Sequence, residues 1–196
     1  MNRDELLDLF RRCSALLEGH FRLSSGLHSP GYLQCALVLQ HPQHASVLGA
    51  ALADWARDLR PTTVLSPALG GLIIGHEVAR ALGARAIFAE REDGALRLRR
   101  GFSLTEAERV LVVEDVVTTG GSTRETVQVA TAEGAQVVGA AAIVNRSGGR
   151  ATLDVPLQAL LDLSLPTYDP DACPLCAAGV AFVKPGSRQV AVRHDQ

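Results

Sequence analysis

The chain has 196 residues, a formal charge of -2, 47% hydrophobic residues and only 4% aromatic ones. That length favours one domain with enough chain for a substantial core, and a composition rich in Ala, Val, Leu and Gly suits helices packed closely on a parallel sheet, an α/β fold. With no basic tract of five or more and no apolar stretch near about 18 residues, the chain gives no reason to invoke nucleic acid or a membrane.

The acids of Met1-Asn-Arg-Asp-Glu are unlike a secretory signal, so a cytoplasmic protein with a small partner is expected. Of the 19 basic residues only Lys184 is a lysine. A grip on an anion must therefore come from arginine or from backbone amides.

Leu6, Leu9, Phe10, Cys13, Leu16 and Leu17 share one stripe of a helix expected over residues 4–18, with Gly19 ending it. Residues 21–32 read as a loop of small residues, and Leu33 to Gln40 as a strand. His41-Pro42 opens a helix to about Leu59, with proline at the favoured first position. Thr63 to Ser66 reads as a strand, Pro67 to Gly71 as a tight loop, and Leu72 to Leu82 as a helix. A glycine loop between strand and helix is either a second anion site or a plain turn; spacing alone leaves both open. Arg85 to Ala89 is the next strand. Glu90 to Glu108 is too polar for core and alternates at residues 95–100, which suggests a charged hairpin or flap.

Val110-Leu-Val-Val-Glu114-Asp115-Val-Val-Thr118-Thr119-Gly120-Gly121-Ser122-Thr123 carries the chemistry. Its short apolar run fits a strand buried on both faces, the acids fall near its carboxyl end, and a Gly-Thr loop leads into a helix over 122–133. Glycines bring backbone N–H groups close to a ligand, and the helix start adds partial positive charge, so the loop can cradle a phosphate. Two carboxylates beside an anion need another partner, and the adjacent hydroxyls of a ribose supply one. No Gly-Lys-Ser/Thr ending and no G-x-G-x-x-G occurs. The residues thus describe a ribose 5-phosphate site.

Val137 to Val144 is a further strand, and Arg146 follows it on the edge where open α/β sheets bind ligands, although a structural ion pair is the plainer reading. Leu157 to Leu163 is the last strand-like run. Cys173-Pro-Leu-Cys176 supplies two of the four ligands that structural zinc needs, and Cys13 and Cys35 have no paired spacing with it. Two reduced, partly buried thiols are the expectation. Residues 184–196 are polar and expected to fray.

VLVVEDVVTTGGST resembles the phosphoribosyl diphosphate signature of the type I phosphoribosyltransferases. F-x-L-x-S-G-x-x-S-P, at residues 21–30, is similar to the base-binding segment of their orotate branch. The resemblance covers most of residues 5–180. It implies an open, mainly parallel sheet flanked by helices in a single domain over 1–196. A small hood is expected from residues 1–40 and the C-terminal segment, and a flexible catalytic flap over about 90–108.

The reaction implied is orotate plus phosphoribosyl diphosphate giving orotidine 5'-phosphate and diphosphate, in pyrimidine synthesis. Phosphoribosyl diphosphate is then held by Glu114, Asp115, Val116, Val117, Thr118, Thr119, Gly120, Gly121 and Ser122, together with Gly70, Gly71, Arg91 and Arg97. Orotate is held by Ser24, Ser25, Gly26, Tyr32, Thr118 and Arg146. Asp115, Arg99 and Arg100 are the implied catalytic residues. Mg2+ is expected to be held mainly by substrate oxygens, with no set of metal ligands from the protein, and the flap to be shared across a homodimer.

The chain departs from the common family pattern at Ser24 and Gly70, where many members carry lysine, and in a flap without Lys or His. Arginine supplies charge and bidentate geometry but does not give up its proton near neutral pH, so a lysine proton donor is excluded. Two other readings are a purine phosphoribosyltransferase, against which the residue 21–30 segment argues, and a non-catalytic regulator that binds phosphoribosyl diphosphate. Such regulators usually carry a DNA-binding domain and a basic face, and neither is read here.

Overall fold

The computed structural model describes residues 1–185, and the expected frayed end over 184–196 lies, beyond residue 185, outside the described residues. By its internal contacts the chain divides into two compact units, one of Met1–Ala15 with Gln34–Ser164, the other of Leu16–Leu33 with the chain from Leu165 on.

In the larger unit, helix α1 (Arg3–Arg12) starts on a reciprocal cap: Glu5 N–H donates to the Asn2 side chain at 2.9 Å, and Asn2 N–H donates to the Glu5 carboxylate at 2.8 Å. It ends earlier than the stripe suggested, because Ser14 takes a left-handed φ of 53°. Leu16 and Leu17 therefore leave the helix and begin a strand. The expected strand Leu33 to Gln40 is instead the short helix α2 (Ala36–Leu39), since an apolar run of that length fits either period. Helix α3 (Pro42–Ala56) starts at its proline as expected, then tightens into a single 3-10 turn at Arg57–Leu59.

The main sheet has six strands. They are β3 (Thr63–Pro67), β4 (Arg85–Glu92), β5 (Ala95–Leu98), β6 (Arg109–Val117), β7 (Gln136–Asn145) and β8 (Leu157–Asp162), in the order β5-β4-β3-β6-β7-β8. All neighbours are parallel except the β4–β5 hairpin at one edge. Val110 to Val113 are fully buried, as an all-apolar central strand requires. Helix α4 (Gly71–Leu82) packs on β3, β4 and β6 and against α3; helix α5 (Gly121–Ala132) packs on β5, β3, β6 and β7. Close approach of α3 to α4 depends on Gly49, where a Cβ would lie 2.6 Å from that of Glu77. The hairpin is less polar than residues 90–108 suggested, for Leu96 and Leu104 join the core beside Leu65, Ile87 and Val112.

From β3 the chain moves outward to β4 and then returns to β6 on the other flank of β3. That reversal opens a crevice beyond the carboxyl ends of β3 and β6.

The smaller unit is built on the hairpin of β1 (Leu16–Arg22) and β2 (His28–Leu33), antiparallel, with a bulge between Glu18 and Phe21. Gly19 lies within β1 and ends no helix, and the expected loop at 21–32 is largely strand. Its Gly, His, Ser and Pro residues hid that, since few of them favour a pleated surface. The C-terminal segment runs along this hairpin through bridges Phe21 to Val183 and His28 to Tyr168, and carries the one-turn helix α6 (Pro174–Ala177). Among the described residues, no helix is long and apolar enough to cross a membrane.

Candidate active site

Two loops meet at the β3/β6 crevice. Gly70 and Gly71, after β3, line one cavity together with Arg91, Glu114, Asp115 and Ser122. Glycine is required there by space: a Cβ at Gly70 would sit 2.5 Å from Asp115 Oδ1, and one at Gly71 would sit 2.9 Å from the Val113 carbonyl oxygen. The loop backbone can thus come within ligand distance of the acids.

Glu114 is buried and accepts a hydrogen bond from the Thr123 hydroxyl. Burial raises its pKa to about 7; the Thr123 bond lowers it and the Asp115 charge raises it further. Burial also raises the pKa of Asp115, offset in part by the Val116 N–H that donates to Oδ1 at 2.9 Å. No cationic side chain forms an ion pair with either acid among the described residues. Carboxylates so poorly solvated suit hydroxyl donors or a cation brought by a ligand.

Beside them Thr118, Thr119, Gly120, Gly121 and Ser122 form a small polar cup, with Val116, Glu114 and Thr123 at its base. Gly120 turns with φ of 76°, and no side chain caps the start of α5. Uncapped amides and the positive end of the helix dipole therefore face the cup, which is what a phosphate dianion needs. Val117 is buried in β6, and its carbonyl accepts from Arg146 N–H at 2.7 Å. Arg146 Nε is buried without a partner, and burial lowers the pKa of this guanidinium. Such an orphaned donor fits an anionic group on a ligand.

Comparison with known proteins agrees with this geometry. The phosphoribosyl transferase domain family matches residues 37–157. An orotate phosphoribosyltransferase of Desulforamulus reducens is 53% identical over 190 residues, 97% of this chain and 100% of that protein. One from Caldicellulosiruptor saccharolyticus is 51% identical, again over 97% and 100%. The chain belongs to the phosphoribosyltransferase family.

Among solved members of that family, the Mycobacterium tuberculosis orotate phosphoribosyltransferase in complex with 5-phospho-alpha-D-ribosyl 1-diphosphate matches with a TM-score of 0.66 and 28% identity. The match covers 82% of this chain and 96% of that one. The enzyme from Aeropyrum pernix matches with a TM-score of 0.69 and 26% identity, covering 81% and 93%. The fold expected from the sequence, an open, mainly parallel α/β sheet, is the one these relatives share.

Of the arginines expected in the flap, Arg97, Arg99 and Arg100 do not line the cavity. Arg91 lines it and pairs with Glu125 at 2.9 Å, Arg99 with Glu92 at 3.3 Å, and Arg100 with Glu90 at 2.7 Å. Arg97 has no acidic partner among the described residues. Glu125 was not foreseen as part of the flap's acidic counterpart, and it also accepts from Leu96 N–H at 2.6 Å. Thr123 and Glu125 were missed as working residues although they stand three and five residues past Gly120. Ser24, Ser25, Gly26 and Tyr32 belong to the smaller unit, where Gly26 turns with φ of 88° and Tyr32 packs on Phe21.

Magnesium takes six oxygen ligands, and Glu114 and Asp115 already spend lone pairs on Thr123 and Val116. The acid pair therefore fits an ion that draws most of its ligands from substrate and water.

Proposed function

We infer that this protein transfers the 5-phosphoribosyl group from phosphoribosyl diphosphate to orotate, giving orotidine 5'-phosphate and diphosphate in pyrimidine synthesis. The observation that carries this reading is the convergence, at one sheet crevice, of a glycine loop, an acid pair shielded from cations and an uncapped helix start. Identity of 53% to an orotate phosphoribosyltransferase over nearly the whole chain supports the choice of base.

In this reading the amides of residues 118–122 hold the 5-phosphate. Asp115 and Glu114 accept hydrogen bonds from the ribose hydroxyls, and the Gly70-Gly71 loop with Arg91 receives the diphosphate. Orotate's carboxylate answers the unpartnered Nε of Arg146. Departure of diphosphate builds positive charge on the anomeric carbon, which the nearby carboxylates stabilise; the ring nitrogen of orotate then bonds to that carbon, and its proton leaves with the diphosphate. When bound, Mg2+ neutralises charge on the diphosphate, held by the substrate with Glu114 and Asp115 nearby. Ser24, Ser25, Gly26 and Tyr32 are proposed as orotate contacts on the resemblance alone, as are a cytoplasmic setting and a homodimer.

We also propose that Arg97, Arg99 and Arg100 act on the diphosphate after Arg99 and Arg100 exchange their glutamate partners, and that the flap serves a neighbouring subunit. Mixing subunits weakened by Asp115→Asn with subunits weakened by changing Arg97, Arg99 and Arg100 to alanine then raises activity above that of either variant alone. No recovery despite demonstrated exchange means that the flap serves its own subunit or that the arginines have no catalytic part. The primary test offers purified protein, with magnesium and phosphoribosyl diphosphate, each of orotate, uracil, adenine, guanine and xanthine. Orotate is consumed and purines are not. Turnover of a purine with orotate inert overturns the base assignment and leaves the family standing.

A further inference from the structure

The smaller unit gathers four side chains that the reaction above leaves unused. His20 comes from β1 and His28 from β2, while Cys173 immediately precedes α6 and Cys176 lies within it. His20 Nε2 is 2.8 Å from His28 Nδ1 and 3.5 Å from Cys173 Sγ. Cys176 Sγ is 3.2 Å from His28 Nδ1 and 3.8 Å from His20 Nε2. One ligand atom from each residue lies within 4.8 Å of all the others, and neither cysteine is in a disulfide.

A tetrahedral zinc ion with Zn–S of about 2.3 Å and Zn–N of about 2.0–2.1 Å sets its ligand atoms roughly 3.3–3.8 Å apart. Three of the separations above fall near that range. The fourth, between the imidazoles, is the hydrogen bond that an ion would replace.

Orientation points the same way. His20 Nδ1 lies 2.7 Å from the Val180 carbonyl oxygen, a contact that keeps the proton on Nδ1 and turns the Nε2 lone pair toward the cluster. Phe182 covers both imidazoles, with ring centroids 5.8 Å from His20 and 5.0 Å from His28. The unit also needs a staple. Its buried apolar residues among those described are Leu16, Phe21, Leu33 and Cys173, a thin core, and units this small, below about 70 residues, commonly rely on a metal, a disulfide or a partner.

We propose that His20, His28, Cys173 and Cys176 bind a structural zinc ion that ties the β1–β2 hairpin to the chain around α6. Binding releases the two thiol protons to solvent, and the two thiolates balance the charge of the ion. All four positions are taken by protein, so the site is closed and has no open place for substrate. The role is folding of the smaller unit, and none of the four ligand residues has a part in the transfer reaction.

The test uses the full chain, freed of any histidine tag and kept reduced. Elemental analysis finds about one zinc per chain, as a closed four-ligand site requires. Cobalt substitution gives the absorption of a tetrahedral site with sulfur-to-cobalt charge transfer. Cys173→Ser and His28→Ala each lower zinc content more than about tenfold, whereas Cys13→Ser leaves it unchanged. A zinc-selective chelator, added with magnesium in excess, lowers the wild-type melting temperature, which keeps the test valid where a ligand variant fails to fold. The proposal is overturned if folded, reduced wild-type protein, after incubation with zinc, retains less than about a tenth of an equivalent. A cobalt spectrum without charge transfer, or a Cys173–Cys176 disulfide under reducing conditions, overturns it as well.

Discussion

The β6–α5 loop and the β4–β5 hairpin border the same cavity and treat charge in opposite ways. In the loop, Glu114 is buried and Asp115 half-buried, neither paired with a cation among the described residues, and desolvation raises both pKa values. On the hairpin side, Glu90 and Glu125 are held below the usual carboxylate range, Glu90 first by its hydrogen bond from Arg100 and Glu125 first by the Leu96 N–H. The loop is thus polarised before substrate arrives, at a cost to stability. The hairpin has settled its charges at the surface, where each pair is worth little and exchanges easily. These two arrangements suit the roles proposed for them, a site that binds tightly in the transition state and a cover that moves.

If that contrast is right, the largest losses come from removing the unpaired groups. Arg146→Ala deletes a half-buried cation meant for a carboxylate, and loss of such a pair costs about 2–5 kcal/mol, roughly thirtyfold to several thousandfold in kcat/KM for orotate. Because Nε has no partner in the free protein, the melting temperature stays close to wild type. A large fall in stability with normal kinetics makes Arg146 structural instead. Asp115→Asn weakens charge-assisted bonds to ribose by about 1.5–3 kcal/mol each, roughly tenfold to 150-fold in kcat/KM for phosphoribosyl diphosphate. Wild-type turnover in that variant removes the acid pair from the mechanism.

The loop was legible from sequence because everything it needs lies within residues 110–123: an apolar strand, two acids, hydroxyls, glycines and a helix start. In the proposed site, backbone amides do most of the binding, and local sequence sets where they point. The hairpin's ion pairs were half legible. Glu90 and Glu92 are near their arginines in the chain, but Glu125 reaches Arg91 only because α5 packs on β5. Least legible was the cluster of His20, His28, Cys173 and Cys176. Cys-x-x-Cys gave two ligands, while the two histidines come from β1 and β2, about 150 residues earlier, in a segment whose composition reads as loop. The same ambiguity misassigned Leu16 and Leu17 to a helix and Leu33 to Gln40 to a strand. Short apolar runs fit both periods, and a single left-handed residue, Ser14, decided where α1 ended.

An intermediate effect is expected on stability. The folded pKa of Glu114, about 7, lies above the ordinary 4.5, so between these values the folded state binds the proton more tightly than the unfolded state. Stability of the free protein therefore falls as pH rises through that window, and the whole penalty is present above pH 7. Glu114→Gln stays neutral and escapes it. Chemical denaturation should show the variant level with wild type near pH 4.5 and more stable by on the order of 2–3 kcal/mol at pH 8. A gap independent of pH assigns the difference to packing and not to the buried charge.

The smallest effect is expected at the hairpin, where Glu125→Ala removes the partner of Arg91 and the acceptor of the Leu96 N–H together. The Arg91 pair is exposed and the Leu96 bond only part-buried, so their joint loss is worth about 1 kcal/mol and raises the open fraction of the hairpin about fivefold. Burial of Leu96 still holds β5 to the core, so the variant folds and its melting temperature barely moves. The measurement is hydrogen exchange at the Leu96 amide, faster in the variant than in wild type. Added salt accelerates exchange in wild type and has little effect in the variant, because screening weakens a pair that the variant no longer has. Exchange as slow as in wild type, at every salt concentration, means that the core contacts of Leu96 alone hold the hairpin, and the contrast between a poised loop and a loosely charged cover loses its second half.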